Sequence, residues 1–120
     1  MKKDIRQQVY EKYDGHCAYC GCEISLKQMQ IDHKFPKRLT NLIDYGNNAV
    51  PPEDIEGFDN LMPSCRLCNH YKRAYLFEHY RELMKTLHER IENIYIVKVA
   101  IAYGILDLRE FDGKFYFEKI

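Results

Sequence analysis

The sequence predicts a small α+β domain stabilised by a bound metal. Three observations support this: segments with helical spacing lie towards both ends of the chain, a short alternating segment lies between them, and two C-x2-C pairs frame that segment. A chain of 120 residues fits one domain. We expect an N-terminal helix within residues 1–16, the metal-bearing core in residues 17–75, and a helical extension with a terminal strand in residues 76–120.

Elements of the first half follow from spacing and turn residues. Apolar residues four apart predict a helix over residues 4–13, which the Asp14-Gly15 turn ends. Alternation of apolar and polar residues predicts a strand over residues 29–33. Residues 34–59 are rich in proline, glycine and asparagine, and they predict a long irregular connection.

The second half is expected to be mainly helical. Ser64 can cap a helix that begins at Cys65 and runs through Arg81 to about Arg90, either straight or with a bend. Its apolar stripe is expected to pack on the core, with a partner-binding surface as the alternative; the stripe comprises Leu76, Tyr80, Leu83, Met84, Leu87 and Ile91. Residues 93–103 have strand propensity but also fit a helical face, and we favour helix with Gly104 beyond its end. Residues 114–120 predict a terminal strand.

Charge and hydropathy limit the classes of function. The formal net charge is zero, which argues against a nucleic-acid binder that relies on bulk positive charge. A site that uses a bound cation and a few local basic residues remains compatible with a neutral chain. No apolar stretch is long enough to span a bilayer, and the N-terminus has no signal-peptide segment. We therefore expect a cytoplasmic protein with reduced thiols and no membrane partner.

The cysteines predict a structural metal site. Cys17 and Cys20 form one pair, Cys65 and Cys68 form the other, and four thiolates in a closed tetrahedral shell suit Zn2+. Iron or an iron–sulfur cluster is the alternative for the same ligands. Cys22 is left over, either as a bystander or as a replacement for Cys20.

The order of residues between and after these pairs resembles one nuclease family. Asp32-His33 follows the first pair, Asn60-Leu61 precedes the second, and Asn69 follows the second directly. This arrangement over residues 17–72 resembles the HNH endonuclease family, which has the ββα-metal or His-Me finger fold, in its four-cysteine zinc-bearing form. The third residue of the family's H-N-H pattern is often His, and Asn69 occupies that position here. The adjacent His70 is the weaker candidate for the same role.

The resemblance implies a metal-dependent endonuclease that hydrolyses DNA phosphodiester bonds. It implies that His33 is the general base and that Asn60 orients its ring and braces the loop. Asp32 and Asn69 would bind the catalytic cation, for which oxygen ligands favour Mg2+ or Mn2+. Phosphate contacts are expected from nearby basic residues, namely Lys34, Lys37, Arg38, Lys72 and Arg73.

Residues 65, 68, 69 and 72 share one helical face, so the predicted zinc and catalytic metal sites would be joined through one helix. No base-reading module is evident, and a protein partner is the expected source of any specificity. The resemblance also favours a bacterial or phage-encoded protein. Two alternatives stay open: a non-cleaving zinc-stabilised binding module of a phage or mobile-element system, and a rubredoxin-like iron or redox protein. Preference for DNA over RNA and the oligomeric state are not predicted.

Overall fold

The structure is a computed structural model that describes residues 3–37 and 52–120. Its described elements confirm the predicted α+β class. In chain order they are α1 (Lys3–Glu11), β1 (Gln30–His33), β2 (Leu61–Ser64), α2 (Arg66–Lys72), α3 (Phe77–Lys85), α4 (Leu87–Ile91) and α5 (Tyr95–Ala102), with short 3-10 turns at Phe58–Asn60 and Tyr116–Glu118.

Two antiparallel strands and the helix that follows them hold the centre of the fold. In the register of the pair, Gln30 lies opposite Ser64 and His33 lies opposite Leu61. Every residue of β2 is buried, and α2 packs against β1. The end of β1, which carries Asp32 and His33, therefore lies beside the helix that carries the second cysteine pair.

The predicted helix from Cys65 to about Arg90 is wrong, because the structure divides that stretch into α2, α3 and α4. Arg73 ends α2 with a φ of 56°, a left-handed conformation unusual for a residue other than glycine. The turn brings Leu76, which is 3% exposed, back to the core. The predicted cap is also wrong: Ser64 belongs to β2, and Cys65 caps α2 by accepting a hydrogen bond from the Cys68 amide.

The predicted C-terminal strand is wrong as well. Residues Tyr116–Glu118 form a 3-10 turn, and the amides of Tyr116 and Phe117 donate to the carbonyls of Tyr19 (3.0 Å) and Ala18 (2.8 Å). Phe115 is 2% exposed and stacks on Tyr80. The aromatic alternation of this segment reflects packing around the first cysteine pair rather than pairing in a sheet.

The remaining helix predictions are confirmed. Helix α1 lies within one residue of the expected start and buries Val9, and α5 occupies the segment predicted as helix, with Gly104 at a φ of 72° beyond its end. The stripe that begins at Leu76 packs on the core through that residue and Tyr80. None of the helices within the described ranges has the length and apolar character needed to cross a membrane.

Candidate functional site

Four cysteines are positioned to hold a metal ion. The Sγ atoms of Cys17, Cys20, Cys65 and Cys68 all lie within 4.8 Å of one another, and the five cysteines form no disulfide. Two ligands come from the turn after α1, and two come from the start of α2. One side of this site belongs to the core cluster: Cys17 and Cys68 are buried beside Tyr19, Met62, Tyr80 and Phe115, whereas Cys20 is exposed.

The sulfur distance between the two pairs matches the predicted tetrahedral shell. A tetrahedron with Zn–S bonds of about 2.3 Å places its sulfur atoms about 3.8 Å apart. Sγ of Cys20 and Sγ of Cys65, one from each pair, are 3.8 Å apart. The four-cysteine cluster is therefore compatible with structural zinc, with the pairs arranged as their spacing predicts.

Crowding of the four thiols gives a physical reason for a cation at this position. A hydrogen bond from Cys68 lowers the pKa of Cys17 to about 4. Hydrogen bonding to Cys17, burial and neighbouring thiolates raise the pKa of Cys68 well above its usual range. Without a cation the cluster resists holding several thiolates together, so metal binding would displace protons and stabilise the fold.

Cys22 is not one of the four grouped thiols, although it is near two of them. Its side chain lies close enough to interact with those of Cys20 and Cys65. The side chain is exposed. The geometry thus selects Cys20 as the second ligand of the first pair.

A second candidate site lies at the end of β1. Asp32, His33 and Asn69 line one cavity of about 280 Å³, together with Lys37 and Arg73. The antiparallel pairing places the carboxylate and the imidazole at the end of β1, and the packing of α2 on β1 adds the amide. Three residues predicted for catalysis or cation binding therefore share one cavity, and Asn69 directly follows Cys68 of the four-cysteine cluster.

Asp32 is buried and is held by two donors. It is 5% exposed, and its Oδ2 accepts hydrogen bonds from the Tyr19 hydroxyl (2.5 Å) and from Lys72 Nζ (3.0 Å). Burial raises the pKa of Asp32, while the Lys72 charge opposes that shift. Burial also lowers the pKa of Lys72. Because both contacts use Oδ2, the second carboxylate oxygen is the one that could serve a cation.

The His33 ring is oriented by an acidic residue from the long connection. Its Nε2 contacts Oε1 of Glu56, and the ring is 19% exposed. This hydrogen bond is the largest cause that lowers the pKa of Glu56. When Nε2 carries the proton in this contact, Nδ1 is the unprotonated nitrogen.

The two asparagines have different partners. Asn60 is buried; its Oδ1 accepts from the Phe35 amide (2.8 Å) and its Nδ2 donates to the carbonyls of Phe35 and Ile55 (2.9 Å each). These bonds tie the start and end of the long connection together, and the contact to the His33 ring comes from Glu56 instead. Asn69 Nδ2 donates to Oε1 of Gln30 (2.6 Å), so its Oδ1 is the atom available to a cation.

The predicted basic residues have different surroundings. Lys37 and Arg73 are exposed at the cavity, and Lys37 forms an ion pair with Glu56 (3.0 Å). Lys34 lies over the rings of Phe77 and Phe117. Arg38 lies outside the described residues.

Lys72 needs a correction, because it is 0% exposed. Its ammonium group donates to Asp32 and to the His33 carbonyl (3.1 Å). An ammonium group enclosed in this way does not reach a phosphate at the surface. The prediction that Lys72 binds nucleic acid is therefore withdrawn. Its spacing of four residues from the buried Cys68 was the signal that could have predicted an inward position.

Sequence reasoning also missed Glu56, Gln30 and Tyr19, which contact His33, Asn69 and Asp32 respectively. Gln30 shares a strand face with Asp32 by the two-residue period, which was a usable signal. Glu56 is one of several acidic residues in the connection, and spacing does not distinguish it.

Comparison with known proteins adds no relative. No family model matches the chain, and no curated protein or solved structure matches it.

Proposed function

We propose that this protein is a metal-dependent endonuclease of the HNH type that hydrolyses DNA phosphodiester bonds. The observation that supports it best is the convergence of Asp32, His33 and Asn69 on one cavity. Two antiparallel strands followed along the chain by a helix are also the order that a ββα-metal core would have.

His33 is the general base of the proposed reaction. Its Nε2 is engaged by Glu56, which leaves Nδ1 to take the proton from an attacking water. Glu56 is a positioning residue, because an orienting carboxylate fixes the tautomer of the ring. Asn60 holds the connection that brings Glu56 to the ring through its bonds to the backbone on both sides.

Asp32 and Asn69 are the proposed ligands of a catalytic Mg2+ or Mn2+. Each has one oxygen that is not engaged by the contacts described above, and hard cations prefer such oxygens. When bound, the cation would polarise the scissile phosphate and stabilise the departing oxygen. Lys37 and Arg73 at the cavity supply local positive charge for the substrate backbone.

Zinc is the proposed occupant of the four-cysteine cluster, in a structural role. The cluster joins the turn after α1 to the start of α2, and α2 carries Asn69. Binding of zinc would thereby fix Asn69 relative to β1, which carries Asp32 and His33.

The test is cleavage of supercoiled plasmid by the zinc-loaded protein with Mg2+ or Mn2+. Loss of the base in His33→Ala should lower the cleavage rate by about 10²–10⁴-fold. His70→Ala is the matched control, since His70 is an exposed histidine on α2 that does not line the cavity. Similar rates for wild type and His33→Ala contradict the proposal, as does an inactive wild type with full zinc content. The same variants assayed on single-stranded RNA decide the substrate class.

One observation favours a second function, a zinc-stabilised nucleic-acid or protein binding module that does not cut. The Asp32 carboxylate is already paired with Lys72 in a buried position, which competes with a catalytic cation. Such a module would bind DNA, or a protein partner, with equal affinity in wild type and His33→Ala and would show no metal-dependent cleavage.

A further inference from the structure

Helix α5 is almost entirely apolar yet has no buried residue. Lys98 is its one charged residue. Apolar residues in and beside the helix are strongly exposed: Ile94 48%, Tyr95 81%, Ile96 74%, Val99 39%, Ile101 40%, Tyr103 79%, Ile105 80% and Leu106 36%. A patch of this kind on a small domain marks an interaction site.

The outward side of α5 has the residue pattern of an interior. Tyr95, Val99 and Tyr103 follow i, i+4, i+8 spacing, and Ile96 lies beside them on the same side. We call these four residues the α5 face. The half-buried Val97 and Ala100 lie on the other side of the helix, so an ordinary surface helix would carry polar residues where the α5 face is.

Intrinsic propensity does not explain why α5 is helical. Isolated helices shorter than about 12–15 residues are marginal in water, and β-branched residues lower that propensity further. Helix α5 has only eight residues, and three of its first five are isoleucine or valine. It is also little buried by the described part of its own chain. Its stability therefore calls for packing on its exposed side.

We propose that the α5 face is the interface of a homodimer. In this arrangement α5 packs antiparallel on α5 of a second copy, so that Tyr95 of one copy meets Tyr103 of the other and Val99 lies near the two-fold axis. The contact is isologous, with the same patch used twice. A self-complementary apolar helix face fits this symmetry without a second partner surface.

The exposed area of the α5 face is large enough for a dimer contact. Its four residues are exposed by about 68% on average, which at 150–250 Å² for a large side chain corresponds to roughly 400–700 Å² per copy. Specific interfaces bury about 1,200–2,000 Å² over both partners. Two α5 faces packed together would bury roughly 800–1,400 Å², which overlaps the lower end of that range.

Charge favours a second copy over a lipid surface. The formal net charge of the chain is zero, so two copies do not repel each other. Helices that lie on membranes are rich in lysine and arginine on their polar side, whereas α5 offers Lys98 and is flanked by the acidic Glu92 and Asp107.

Sedimentation velocity on the full zinc-loaded chain tests the proposal. Wild type should sediment as a dimer, at twice the 14.4 kDa of one chain, with a dissociation constant below about 10 μM. Val99→Glu places like charges near the axis and should raise that constant by at least about 100-fold. Val99→Lys should do the same, and an equimolar mixture of the two variants should associate again.

Lys98→Glu is the matched control, because it introduces the same residue one position away and off the α5 face. It should remain dimeric, and zinc content and far-UV circular dichroism should be unchanged in all variants. A wild type that stays monomeric at about 100 μM overturns the proposal. So does a Val99→Glu chain that dimerises like wild type, or a monomeric wild type that binds vesicles of anionic phospholipid through α5.

Discussion

The buried ion pair beneath the candidate site supports a sharp prediction about stability. Replacing Lys72 by methionine removes an ammonium that is 0% exposed and lies 3.0 Å from the carboxylate of Asp32. Methionine fills much of the same volume, so the main loss is the charge. Asp32 is 5% exposed and would be left without its counter-charge, which costs about 3–5 kcal/mol in comparable cases.

The measurement is thermal and urea unfolding of zinc-loaded protein. For a chain of this size, 3–5 kcal/mol corresponds to a fall in Tm of roughly 10–20 °C. The double variant Asp32→Asn with Lys72→Met removes both charges and should recover at least about 1.5 kcal/mol of the loss. The control is Lys37→Met, which breaks an ion pair to Glu56 between exposed side chains and should cost at most about 1 kcal/mol.

The pH dependence of the same variant follows from the direction of the Asp32 shift. Burial raises the pKa of Asp32 in the folded state, and loss of the Lys72 charge removes an influence that lowers it. A group whose folded pKa is raised favours folding below its unfolded pKa and loses that contribution as the pH rises through the folded value. The deficit of Lys72→Met relative to wild type should therefore shrink from pH 7.5 to pH 5. The reasoning is refuted if Lys72→Met lies within about 1 kcal/mol of wild type at neutral pH, or if the deficit grows on acidification.

Three further predictions concern the framework of the site. Gly21→Ala should destabilise the protein by at least about 2 kcal/mol more than Gly113→Ala in urea unfolding. Both residues have positive φ, but a Cβ at Gly21 would lie 2.7 Å from the Tyr116 ring, whereas a Cβ at Gly113 would have no atom within 4 Å. Removal of the proposed zinc by a chelator should abolish cooperative unfolding seen by calorimetry, and persistence of the transition after verified metal loss would count against a structural role. Arg81→Lys should lower the free energy of unfolding by about 1–2 kcal/mol, because Arg81 makes two 2.6 Å bonds to Glu118. Since this contact lowers the pKa of Glu118, the stability difference from wild type should be largest above the unfolded pKa of glutamate and should fade as the pH falls. A difference that does not change with pH would contradict the assignment.

Local patterns predicted the parts of the site that depend on short-range spacing. The C-x2-C pairs predicted the four-cysteine cluster, because each pair needs only one turn of chain to present two thiols to a single ion. The alternation around Asp32 predicted β1, and the helical spacing of the first segment predicted α1. Each cysteine pair, the strand and the helix is determined within about ten residues, which is the range that a pattern covers, and the shared metal brings the two pairs together.

Features set by distant residues were beyond such patterns. Arg73 takes a positive φ although it is neither glycine nor asparagine, and the chain beyond it returns the buried Leu76 to the core. Lys72 was interpreted from its charge as a surface residue, but its buried partner comes from another element. Glu56, which contacts the His33 ring, lies 23 positions away in the loop. The terminal aromatic segment was misread because aromatic packing and strand pairing produce the same alternation.

The most direct test of the central proposal is the rate of plasmid cleavage per zinc-loaded chain, measured with Mg2+ or Mn2+ for wild type and His33→Ala at equal zinc content. The proposal predicts nicking or cutting by wild type and a rate lower by about 10²–10⁴-fold for the variant. Equal rates in the two proteins, or no cleavage by a wild type with one zinc per chain, would contradict it.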